Sequence, residues 1–154
     1  MKAVLCVLAL FPLLASAQTQ PAVRDLSAVS HEMLAAIQTV RNHSASLLKE
    51  LEKKEPDRQV VQALSTEAVA QVKQLRKLIE ELDTFYEKMP EAQQSALRRS
   101  WSVAMILNGC MESAVDALAE NSRDVWSEVR TSAECAQRRA DQLEEVLAPF
   151  RRGR

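Results

Sequence analysis

The chain has 154 residues, 20 of them basic and 21 acidic, for a net charge of −1, with two glycines and three cysteines. That balance gives no global attraction to nucleic acid or anionic lipid, so no nucleic-acid partner is expected. Gly109 and Gly153 are the only glycines, which excludes a glycine-rich phosphate loop.

The first segment, "MKAVLCVLALFPLLASA", carries one positive charge at Lys2, an apolar run from Ala3 to Leu14 and a small-x-small end at Ala15-Ser16-Ala17. These features predict a secretory signal peptide over 1–17, cleaved before Gln18. The apolar run is too short to cross ~30 Å of hydrocarbon. Cys6 lies inside it, away from the processing end, and is expected to leave with it. Without Lys2, the remainder keeps 19 basic and 21 acidic residues and two cysteines, Cys110 and Cys135. It reads as a single domain over 18–154 with no further apolar span. The Ala-, Leu- and Arg-rich composition favours a bacterial source. The expected location is therefore the periplasm, or the extracellular space for any other source.

Four segments with helical periodicity follow. The first, about 26–54, places Leu26, Val29, Met33, Ile37, Val40, Leu47 and Leu51 at steps of three and four, interrupted by Ser44. Glu55-Pro56-Asp57 ends it, and Asp57 can cap the next helix. The second, about 58–88, carries Val61, Leu64, Ala68, Val72, Leu75, Ile79, Leu82 and Tyr86, and Met89-Pro90-Glu91 punctuates it. The third covers about 91–120 and stops at Asn121-Ser122. The fourth, about 123–150, aligns Trp126, Val129, Ala133, Ala136, Ala140, Leu143, Leu147 and Phe150. A short basic tail, 151–154, is expected to fray. Helices of equal length, ~42–46 Å each, joined by breaks of two or three residues predict an all-α, up-down-up-down antiparallel four-helix bundle. Extended helical hairpins that dimerise are the alternative.

The third segment contains "WSVAMILNGCMES", where Asn108-Gly109 would ordinarily signal a turn. The cysteines argue against a turn there. Cys110 and Cys135 are symmetric about the Asn121-Ser122 break, so antiparallel helices set them level. Each also lies roughly 90–110° from the centre of its helix's apolar face, in the same rotational sense. A Cys110–Cys135 disulfide is expected, closing a loop of ~25 residues and adding about 3–4 kcal/mol in the chain-entropy account. Asn108 then falls at an edge of the apolar face, where its amide can bond across helices.

Chemistry-bearing patterns are scarce. No Glu-x-x-His pair suits a carboxylate-bridged metal, and His31 and His43 are read as surface residues on different faces. No Gly-x-Ser-x-Gly turn or C-x-x-C-H is present, so no cofactor and no catalytic residue is expected. Arg98-Arg99 and Arg138-Arg139 read as a solvated face, with Arg98 and Arg139 forming a small anion site only if they meet across the hairpin. Asn42-His43-Ser44 fits a glycosylation sequon that matters only in a eukaryote. The stretch "CMESAVDALAENSRDVWSEV" resembles the cysteine-bearing helix of plant invertase and pectin methylesterase inhibitors over 20 residues. The resemblance implies a secreted four-helix bundle. This chain lacks the paired N-terminal cysteines of that family, so the likeness is one of architecture.

Ser102, Ile106, Gly109 and Ser113 recur at steps of four, three and four opposite the core face, with Met105 beside them. Such a strip lets another helix approach closely. The expected function is an exported, non-enzymatic interaction or structural protein of the cell envelope, a homodimer or the holder of an envelope partner. A carrier of a lipid or other apolar ligand is the alternative. An inhibitor-like bundle or an enzyme with an unrecognised site ranks below both.

Overall fold

The computed structural model describes residues 24–120 and 123–151. The signal segment with Cys6, the Asn121-Ser122 break and the end of the tail lie outside the described residues. Among those described, 87% are helical and no strand occurs. Four α-helices follow in order: α1 Leu26–Leu51, α2 Arg58–Asp83, α3 Glu91–Glu120 and α4 Val125–Val146. Each packs on its neighbour in sequence and α4 closes on α1, which makes a four-helix bundle within one chain. The alternative of open hairpins is not what forms.

The helices are less equal than the periodicity predicts, at 26, 26, 30 and 22 residues. α1 stops at Leu51 because Glu52, Lys53, Lys54 and Glu55 are exposed and offer no apolar side chain to hold another turn on the core. α2 ends at Asp83, not near Lys88. Pro90 forces Met89 into an extended conformation, ψ 147°, and Tyr86–Lys88 tightens to a 3-10 turn before it. Pro149 likewise limits α4 to Val146 and leaves Ala148–Phe150 as a 3-10 turn.

The ends are tied by polar side chains. Asp57 caps α2, accepting the Gln59 and Val60 N–H groups at 2.8 and 3.3 Å. Asp25 caps α1 through the Ala28 N–H at 2.7 Å. Glu50 is buried at the α1–α2 turn, where its carboxylate accepts the Asp57 N–H at 3.1 Å and lies 2.6 Å from Lys53 Nζ. Two guanidiniums close helix C-termini on neighbouring helices: Arg130 of α4 donates to the Leu51 carbonyl, and Arg58 of α2 donates to the Leu118 carbonyl. Positive charge at those carbonyls complements the helix dipole.

The core is a continuous apolar column. Met33, Ile37 and Leu47 of α1 meet Leu75, Ile79 and Leu82 of α2, Leu97, Leu107, Met111 and Leu118 of α3, and Leu143, all fully buried. Each contributes about 1.5–3 kcal/mol by leaving water. α4 adds Ala133, Ala136 and Ala140, small residues that let it sit close. Between α1 and α4, Arg41 pairs with Asp141 at 2.7 Å and with Glu144, which also binds Arg151. The first residue of the basic tail is therefore anchored, where a frayed end was expected.

Candidate functional site

The fixed rotation of α3 decides what its outward face offers. Leu97, Ala104, Leu107, Met111, Ala114 and Leu118 point inward and are buried. At 100° per residue, Ser102, Ile106, Gly109 and Ser113 must then point out, and all four are exposed. Met105 is 51% and Ile106 46% exposed; among the described residues the only other large exposed apolar side chain is Val60 on α2, at 40%. Ser102 Oγ turns back to the Arg99 carbonyl at 3.2 Å. Among the described residues a methyl group placed on Gly109 would meet nothing within 4 Å, so this glycine is not needed for packing against them.

Asn108-Gly109 lies within α3 and forms no turn. Asn108 is buried, more deeply than the edge position predicted, and its amide oxygen has no hydrogen-bond partner among the described residues. Behind the strip, Cys110 and Cys135 join α3 and α4 at disulfide distance, with Sγ atoms 2.06 Å apart and Cα atoms 5.9 Å apart.

The other candidate groups fall apart from this strip. His31 is exposed, but His43 is not the free surface residue expected: it is half-buried, its Nδ1 3.5 Å from Glu67 on α2. Asn42 is exposed and its side-chain Oδ1 accepts from Gln38 Nε2 at 3.1 Å. Arg98 lies over the Tyr86 ring, 5.0 Å from its centroid, and Arg139 donates to Gln142 at 2.7 Å, so each arginine has a partner of its own. Among the described residues no group of three or more His, Cys, Asp or Glu is placed to hold a metal. No described helix is long and apolar enough to cross a membrane.

An open cleft of about 1100 Å³ lies where the start of α1 meets Gln93, Phe150 and Arg151. Its walls mix Leu26, Leu34 and Phe150 with Asp25, His31 and Glu32, so it offers neither a dry cavity nor a single charge sign. Two carboxyls have acid-shifted titrations. The Lys53 ammonium and then the Asp57 N–H hold Glu50 below the usual carboxylate range, and the bond from Arg151, helped by the charge of Arg41, does the same for Glu144. Both serve helix ends and interhelical contacts. Glu50 was hidden in the sequence because it sits in a run of charges that reads as solvated.

No protein-family model, curated protein or solved structure matches this chain.

Proposed function

We propose that the chain is an exported, non-enzymatic helical bundle of the cell envelope that works by holding a protein against the outward face of α3. The observation that supports this is the adjacent pair Met105 and Ile106, 51% and 46% exposed on a helix whose opposite face is fully packed. Leaving both in water forgoes burial energy that a partner would recover. Export is supported by the pattern of Met1–Ala17 and by a cysteine pair at disulfide distance, which suits an oxidising compartment.

The test begins with cells expressing the full chain. The expected product starts at Gln18, leaves the cytoplasm and has no alkylatable thiol. Chemical crosslinking of that fraction is expected to trap a complex with the wild type and not with Ile106→Glu. A cytoplasmic product with free thiols would refute export, and a complex indifferent to Ile106→Glu would refute the face. The carrier reading has only the open, mixed cleft beside Leu26 and Phe150 behind it. An apolar ligand co-purifying in native mass spectrometry would favour it over the interaction reading.

A further inference from the structure

We infer that the occupant of the α3 face is a second copy of the same chain, docked antiparallel with Ile106 of each copy seated over Gly109 of the other. This rests on the reading of α3 as an interaction face and names its partner. The argument is one of register. A two-fold axis crossing α3 at the Leu107–Asn108 peptide exchanges Ile106 with Gly109, Ser102 with Ser113, Arg99 with Asp116 and Ser95 with Glu120. All eight residues are exposed, and helical rotation puts them within about 100° of arc.

Shape and charge both suit that exchange. Ile106 projects, and the space above Gly109 is open, with nothing within 4 Å of a would-be Cβ. Small residues at the crossing let two helix backbones approach. Eight to nine residues on either side, Arg99 of one copy stands level with Asp116 of the other across the strip, within reach of the long arginine side chain, twice by symmetry. Among the described residues, Arg99 has only a long contact from Nε to the Ser95 carbonyl, 3.4 Å, and Asp116 has no ion pair. The flanking charges are already engaged: Arg98 over Tyr86, and Glu112 with Lys73 at 3.8 Å. A parallel docking would set Arg99 against Arg99 and Asp116 against Asp116, which like-charge repulsion disfavours. The strip from Ser95 to Glu120 runs ~37 Å, and a contact confined to one helix pair belongs to the small, weak class of interfaces.

The experiment is sedimentation equilibrium on the protein isolated from cells expressing the full chain, at concentrations up to the order of hundreds of micromolar. The expected result is a concentration-dependent dimer. Ile106→Glu should abolish it while leaving helix content and thermal midpoint unchanged. Arg99→Asp and Asp116→Arg should each raise the dissociation constant about tenfold, and the two together should restore it to within about threefold. A monomer at every concentration overturns the second copy; a crosslinked complex from the exported fraction, lost with Ile106→Glu, would still stand for the broader reading. A dimer insensitive to Ile106→Glu overturns both. A double variant as weak as the single ones overturns the antiparallel register.

Discussion

Gly109 occupies the middle of a 30-residue helix, where glycine is about 1 kcal/mol less favourable than alanine. A glycine kept for close packing inside the bundle would have atoms around its missing Cβ, and among the described residues it has none within 4 Å. Gly109→Ala is therefore expected to stabilise the dilute protein by about 1 kcal/mol, read as a thermal midpoint raised by roughly 3–5 °C. A lowered midpoint would mean that the helix is not regular at this position. In the antiparallel dimer the added methyl meets Ile106 of the other copy, so the same substitution should weaken self-association. Gain of monomer stability with loss of dimer is a signature that no local packing role would produce. Asn108 carries a second lesson at this scale. Rotation alone put it at an edge of the apolar face, but the neighbouring helices cover it, and a wheel of one helix has no knowledge of how far its neighbours wrap around it.

At the scale of elements, the four periodic stripes were legible because core residues at steps of three and four leave few other packings. Their ends were less so. Proline marked the first two breaks and Asn121-Ser122 the third, yet Glu52–Glu55 fall out of α1 for want of apolar side chains, and Phe85–Lys88 and Leu147–Phe150 fall out of α2 and α4 because the backbone must unwind before or around Pro90 and Pro149. The polar side chains that manage those ends, Glu50, Arg58 and Arg130, look like solvated charge in one dimension. They gain meaning only when a neighbouring helix brings its N–H or carbonyl groups to them. Glu50 and Glu144 also set a pH dependence. Both carboxyls titrate below their ordinary value in the folded chain. Their contribution is therefore complete above the unfolded value of about 4.3 and is lost as pH falls through the folded values. The urea midpoint should hold from neutral pH down to about pH 5 and decline below about pH 4. Glu144→Gln should be less stable at neutral pH and show a shallower acid decline; an acid limb identical to the wild type would contradict the role given to Arg151 and Arg41.

For the whole molecule, the pairing of Cys110 with Cys135 was readable from symmetry about the α3–α4 break, since level height and matching rotation agreed. The bridge ties the helix that carries the exposed strip to α4, which packs through Ala133, Ala136 and Ala140. Reduction should cost about 3–4 kcal/mol and lower the thermal midpoint by roughly 10 °C, measured by circular dichroism with and without reductant. No change on reduction would mean that the bridge does not constrain the unfolded chain. The strip itself was also readable, because it is the complement of the core stripe on α3. Of its charged flanks, Arg99 read only as part of the solvated Arg98-Arg99 pair and Asp116 was not singled out, since an Arg and an Asp seventeen residues apart acquire a relation only through a second copy.

The central claim is that association occurs on the outward face of α3. Amide NMR spectra of the protein, isolated from cells expressing the full chain, recorded as its concentration is raised, test this most directly. The account predicts shifts centred on Ser102, Ile106, Gly109 and Ser113, fading toward Arg99 and Asp116, with the outward faces of α1 and α2 unchanged. Spectra that do not change with concentration, or changes centred on another helix, would contradict it.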